Sequence, residues 1–350
     1  MSTTASTQLW ITRCPVPTAS SVAFDRGLLE AGLSPLGVAV EYLQDAPDQA
    51  TRDAHFHHGN DGLVREGGNV PGLWARANGA DTRLIALTWI DEYQALLTAD
   101  RALAGDPSKL AGRRVGVPRY VDAVVDFQAA MALRGAQAAL SLAGLTLADV
   151  ALVDLPARRA GTGWGPGERA PRGVWDLELA ALRDGRADAV YVKGAPGVLA
   201  AAADGVFEVV EFGSHPDPAV RVNNGTPRTV TAAARLLEER PEVVARYLAT
   251  LLDAADWASA NGNELTRVLA SESGGDAASA RRAYGDARLH PDLRDDWLDA
   301  LELERAFLAE QGLLGDGPGR DFDVRAWADP RPLAAARALR AEGARGGTTD

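Results

Sequence analysis

A chain of 350 residues with 46% hydrophobic side chains can bury a sizeable core, and its length favours about two domains of roughly 100–200 residues each. Its 48 acidic against 36 basic residues give a formal charge of −12, which repels nucleic acid and anionic membrane, so an anionic ligand must be attracted locally. A single cysteine excludes an internal disulfide, and no window approaches the roughly 20 apolar residues of a bilayer crossing.

Residues 1–7 have neither a basic start nor a long apolar stretch, so no secretory signal is expected and the cytoplasm is the expected location. Leu9-Trp10-Ile11-Thr12 reads as a short buried strand, followed at residues 18–31 by helical spacing that stops at Gly32. Residues 37–43 supply a second strand, 68–78 a helix and 83–89 a third strand. After the linker-like Ala104-Gly105-Asp106-Pro107, a valine-rich strand lies within residues 110–117, a helix at 127–142 and a strand at 150–153. A Gly/Pro-rich loop at 164–173, a helix at 177–182 and a strand ending near Tyr191 come next. Helices are then expected at 232–239, 241–261, 295–311 and 329–342, with a frayed tail at 343–350; Pro241 suits a helix first turn.

The alternation of strand and helix predicts an α/β architecture with largely parallel sheets. Crossings near residue 108 and near 226–231 divide it into lobe I, residues 1–108 plus 230–350, and lobe II, residues 109–229. Ligands of open α/β sheets bind beyond the carboxyl ends of the strands, so the expected site is a cleft between two lobes.

Chemistry concentrates in the first fifth of the chain. Cys14 lies in Thr12-Arg13-Cys14-Pro15-Val16-Pro17, between the first strand and the first helix, where the positive end of that helix is expected to lower the thiol pKa; Pro15 and Pro17 restrain the backbone. A lone cysteine is also often a small buried hydrophobe. Arg65-Glu66-Gly67-Gly68 is expected to open a helix whose unpaired N–H groups and planar guanidinium fork suit a sulfinate, sulfonate or carboxylate, against the plain alternative of a turn with a solvated arginine. His55 can reach the same pocket if Gly59-Asn60-Asp61-Gly62 turns tightly, while His57 and His58 are expected to be solvated.

Metal ligation by these histidines with Cys14 lacks ordinary zinc spacing, so neither metal nor cofactor is expected. Gly161-Thr162-Gly163-Trp164-Gly165 lacks the ending of a phosphate loop. Trp10, Trp74 and Trp89 either line an aromatic pocket near the motif or pack in the core.

Cys14-Pro15-Val16-Pro17, His55-Phe56 and Arg65-Glu66-Gly67-Gly68, in this order and spacing, resemble the hydroxybiphenyl-sulfinate desulfinases. Weaker similarity through residues 110–117, 185–191 and the helix from Pro241 is shared with sulfonate- and taurine-binding proteins of transporters. The resemblance implies a two-lobed, periplasmic-binding-protein-like fold of type II. It implies Cys14 as the catalytic residue with His55 as its partner, and Arg65 as the clamp, with Thr12, Gly67 and Gly68 binding substrate. The implied reaction is hydrolytic cleavage of an aryl carbon–sulfur bond to release sulfite, without metal or organic cofactor. Cys14 would act either as a thiolate on sulfur or as a proton donor to the ring carbon. Thr12 and Arg13 stand where the family has serine and asparagine, which leaves a different aryl or a smaller sulfinate open. The expected partner is thus a small aryl sulfinate or sulfonate-type anion, with no nucleic acid or membrane, and the expected state is a monomer. The alternatives are a substrate-binding protein of a sulfonate transporter, a metal-dependent hydrolase and a thiamine-precursor protein.

Overall fold

The computed structural model describes residues 7–12, 14, 16–158, 173–285, 287–317 and 319–346, so Arg13, Pro15 and the glycine motif at 161–165 lie outside the described residues. The first half of the chain forms β1 (Thr7–Ile11), α1 (Ala19–Asp25), α2 (Leu28–Leu33), β2 (Val38–Tyr42), α3 (Gln49–His57), β3 (Leu63–Gly67), α4 (Asn69–Ala77) and β4 (Thr82–Thr88). Where one helix is expected over 18–31 there are two, because Gly27 adopts the left-handed φ of 65° and starts the chain afresh. Next come β5 (Gln94–Thr98), β6 (Arg114–Tyr120), α5 (Phe127–Ser141), β7 (Ala151–Ala157), α6 (Asp176–Arg183), β8 (Ala189–Lys193), α7 (Gly194–Ala201) and β9 (Phe207–Glu211).

The last part contains α8 (Pro218–Arg221), β10 (Arg228–Ala233), α9 (Ala234–Glu239), α10 (Pro241–Ala260), α11 (Gly262–Ser273), α12 (Ala277–Tyr284), α13 (Asp295–Glu310), α14 (Val324–Trp327) and α15 (Arg331–Gly346). The final helix thus continues to Gly346, through part of the tail expected to fray.

Two five-stranded sheets share one plan, β2-β1-β3-β10-β4 and β7-β6-β8-β5-β9. In each, four strands run the same way and one, β10 or β5, is antiparallel to both of its neighbours. The chain supplies these antiparallel strands as it crosses: β5 follows β4 of the first sheet, and β10 follows β9 of the second. The first crossing therefore falls between Thr88 and Gln94, which corrects the boundary placed near residue 108. Ala104-Gly105-Asp106-Pro107 is a surface turn inside the second lobe, with Gly105 N–H donating to Glu208 O at 3.0 Å. The real crossing holds buried Ile90, Glu92 and Tyr93 and no glycine or proline, so nothing local marks it. The return lies between Glu211 and Arg228.

One continuous apolar core runs through both lobes, with a small satellite of Leu43, Ala54 and Leu63 under Trp10. The carboxyl-terminal helices tie the lobes together, α10 packing on α1, α2 and α15, and α12 packing on α7. No helix among the described residues is long and apolar enough to cross a membrane.

Candidate active site

Cys14 follows β1, Gly67 ends β3 with Gly68 directly after it, and Thr88 ends β4, so all lie at the carboxyl edge of the first sheet. Arg65-Glu66-Gly67 is the end of a central strand rather than a helix start, and α4 begins only at Asn69. The alternation of a strand then separates the two charges. Arg65 and Gly67 share one face and Glu66 takes the other.

Arg65 is 1% exposed. Its Nε donates to His55 O at 3.0 Å and its Nη1 to Gly68 O at 2.9 Å, while Nη2 stands 3.4 Å from His55 Nε2. Two of its three nitrogens thus donate to backbone oxygens and the third stands beside His55, so much of the fork expected to grip two oxygens is already engaged. A Cβ on Gly67 would lie 3.0 Å from Cys14 Sγ and 3.2 Å from Arg65 Nη2, which places thiol and guanidinium on the same spot and explains the glycine. His55 sits on α3 and reaches Arg65 because the turn from Asn60 to Leu63, closed by Leu63 N–H on Asn60 O at 3.1 Å, folds α3 back beside β3. The thiol, the imidazole and the guanidinium are brought together.

Cys14 is 7% exposed. Burial pushes its pKa up, opposed by Arg65, by the Gly68 N–H and by the more distant Arg228 and Lys193. The expected lowering by the start of α1 fails because that helix end is already filled. Glu66 accepts from Ala19 N–H at 3.2 Å and Ser20 N–H at 2.7 Å, and Thr18 Oγ1 accepts from Ser21 N–H at 3.0 Å. Burial raises the Glu66 carboxyl as well, against those same hydrogen bonds. Arg65 is pulled down to about 10 by burial, with Cys14 working the other way.

The start of α4 is equally occupied. Asn224 O and Oδ1 accept from Asn69 N–H at 2.7 Å and Val70 N–H at 2.9 Å, and a Cβ on Gly68 would meet Asn224 Oδ1 at 2.5 Å. Of the donors expected to hold an anion there, the Gly68 N–H is directed at the thiol. Thr12 is wholly buried, and its Oγ1 makes no hydrogen bond among the described residues.

His58 is not solvated. It is buried, with Nε2 3.1 Å from Thr231 Oγ1, and burial together with nearby Arg65 drives its pKa down to about 3. It is therefore a neutral part of the packing behind Arg65. His57 accepts from Gly59 N–H at 2.9 Å and stays outside the pocket. Among the described residues no three His, Cys, Asp or Glu side chains gather as metal ligands would.

The tryptophans do not form a pocket at the motif. Trp10 covers the satellite core, Trp74 packs on the main core, and Trp89 lines a cavity of about 1110 Å³ with Trp297, Arg221 and Arg282. The aromatic wall beside His55 is instead Phe56, edge-on to the imidazole and stacked on Phe127 of the second lobe at 6.2 Å between centroids.

Residues that motif reading missed come from the second lobe and the crossings. Glu92 takes Lys193 Nζ at 2.8 Å on one oxygen and faces Arg228 Nη2 at 3.5 Å with the other. The Asn-Gly pair of Asn223-Asn224-Gly225 signals a turn, but nothing local signals that its asparagine caps a helix far upstream.

No family model matches the chain. It is 27% identical to 2'-hydroxybiphenyl-2-sulfinate desulfinase of Rhodococcus erythropolis over 362 aligned positions, which cover 93% of this chain and 92% of that protein. The fold is that of the desulfurization enzyme DszB, whose mutant in complex with biphenyl-2-sulfinic acid superposes with a TM-score of 0.70 at 24% identity, covering 96% of this chain and all of that one. It is equally that of the periplasmic aliphatic sulphonate binding protein SsuA from Escherichia coli, with a TM-score of 0.64 at 16% identity over 92% and 91% of the two chains.

Proposed function

We propose that this protein is a desulfinase that hydrolyses the aryl carbon–sulfur bond of an arylsulfinate and releases sulfite. The observation that carries the proposal is the meeting of Cys14 Sγ and Arg65 Nη2 over Gly67, with His55 Nε2 3.4 Å from the same nitrogen. Similarity to the sulfinate desulfinase along nearly the whole chain supports the substrate class. The Phe56–Phe127 stack suits an aryl group.

The raised thiol pKa supports the proton-donor reading, because a protonated thiol is a proton donor and a poor nucleophile. The Cys14 proton passes to the ring carbon that bears sulfur. The carbon–sulfur bonding pair stays with the ring, and sulfur leaves as sulfur dioxide. Water adds to the sulfur dioxide to give hydrogen sulfite and a proton, and that proton restores the thiol. Arg65 Nη2 holds the sulfinate oxygen, and its positive charge with the Gly68 N–H stabilises the transient thiolate. His55 fixes Arg65 through its backbone oxygen.

The test is sulfite release from purified protein with a panel of arylsulfinates. Cys14→Ser and Arg65→Ala are each expected to lower kcat/KM by at least about 100-fold. A second reading, a sulfonate-binding protein, is favoured by the fold it shares with SsuA. Absence of sulfite from every arylsulfinate, with tight binding of an alkylsulfonate, would establish that reading instead.

A further inference from the structure

A sulfinate has two oxygens, and Arg65 already commits Nε to His55 O and one N–H of Nη1 to Gly68 O, with Nη2 beside His55 Nε2. A second strong donor would let each oxygen be held. Arg228 is the buried cation with donors to give. It opens β10, and the antiparallel sense of that strand brings its first residue to the edge where β1, β3 and β4 end, in register with Thr88.

Its side chain is 0% exposed, yet Nε, Nη1 and Nη2 make no hydrogen bond among the described residues. The one ion pair described for it is the 3.5 Å approach of Nη2 to Glu92 Oε2, and Glu92 is better engaged with Lys193 at 2.8 Å. A buried guanidinium left this short of acceptors is costly unless an anion completes it. The local charge agrees: the three cations Arg65, Arg228 and Lys193 stand against two carboxylates, Glu92, paired with Lys193 and Arg228, and Glu66, which accepts from the start of α1 and from Thr88 and feels the charge of Arg228, in a chain of formal charge −12. Thr12 Oγ1 and Thr229 Oγ1 are further buried hydroxyls that make no hydrogen bond among the described residues.

Resting on the function proposed above, we infer that Arg228 is the second guanidinium of the site, donating to the other oxygen of a bound sulfur oxyanion in place of its long contact with Glu92. The ligand class is a small sulfur oxyanion, the sulfinate as substrate or sulfite as product. The anion reaches Arg228 when the lobes part, because its nitrogens are closed off in the present state. As the sulfur group leaves the ring, Arg65 and Arg228 hold it from two sides. Arg228 also acts on the Cys14 thiol by its field.

The test is calorimetric titration of wild type, Arg228→Gln, Arg228→Lys and Glu92→Gln with inorganic sulfite, each checked by circular dichroism and thermal melting. Arg228→Gln is expected to weaken sulfite binding about tenfold or more, with Arg228→Lys in between. Glu92→Gln keeps an oxygen for Lys193 but removes the charge competing for Arg228, so sulfite is expected to bind more tightly, a gain that a purely structural Glu92–Arg228 pair would not produce. Should Arg228→Gln fail to fold, Glu92→Gln decides. Unchanged sulfite affinity in a folded Arg228→Gln, unchanged or weakened affinity in Glu92→Gln, or no sulfite binding by wild type overturns the inference. Sulfite binding that depends on Arg228, without turnover of any arylsulfinate, would refute the desulfinase reading and leave the anion site standing.

Discussion

Cys14 owes its chemistry to burial more than to any neighbour. Desolvation penalises the thiolate, and three cations and one backbone N–H only partly offset it, so the thiol holds its proton at neutral pH. For an acid whose pKa is raised in the fold, the reactive anion appears only above the ordinary range. Alkylation of this sole thiol by iodoacetamide is therefore expected to reach half its limiting rate above about pH 8.5, the ordinary thiol value. Replacing Arg65 by glutamine removes the largest opposing influence and should move that midpoint higher still. A midpoint below the ordinary value, read from rate against pH, would rule out the proton-donor mechanism and restore the nucleophilic one.

At the scale of elements, β3 works as a divider. Its alternation sends Arg65 toward α3 and the pocket and Glu66 toward the start of α1, where the carboxylate takes two backbone N–H groups. The helix end beside Cys14 is thereby closed to ligands, and the strand is clamped to α1. Glu66→Ala leaves those N–H groups buried without acceptors and is expected to lower unfolding free energy by about 2–4 kcal/mol. Glu66→Gln, which keeps an acceptor, should lose less. Urea unfolding of both variants checks this, and equal stability of Glu66→Ala and wild type would mean that the cap contributes nothing.

Across the whole molecule the lobes meet through buried charge. Lys193 ends β8 in one sheet, Arg228 begins β10 in the other, and Glu92 stands between them on the first crossing. Gly225 makes room for the bridge, since a Cβ there would lie 1.7 Å from Glu92 Oε1 and 2.6 Å from Lys193 Nζ. Gly225→Ala must displace Glu92 and loosen the joint. The expected outcome is a stability loss of about 2–4 kcal/mol together with faster alkylation of Cys14, as the lobes part more readily. A destabilised variant whose thiol reacts at the wild-type rate would show that this bridge does not govern access.

Local pattern determined much of this protein. Strand and helix alternation carried the two α/β lobes, and β1, β2, β4, α4, α5 and α10 fall close to where spacing alone puts them, because their apolar periods match their buried faces. The thiol, imidazole and arginine were legible as residue types at a telling spacing. Only the tertiary structure decided what they could do. It turned Arg65-Glu66 into a buried central strand, which no hydrophobic period announces because both charges find their partners elsewhere in the chain. It placed the first crossing at a stretch without glycine or proline. It raised a thiol expected to be lowered, and it brought Arg228, Glu92 and Lys193 to the edge that Cys14 occupies. The reason is the same throughout: desolvation and charge pairing between residues far apart in the chain depend on which surfaces are removed from water, and that is set by the assembled fold.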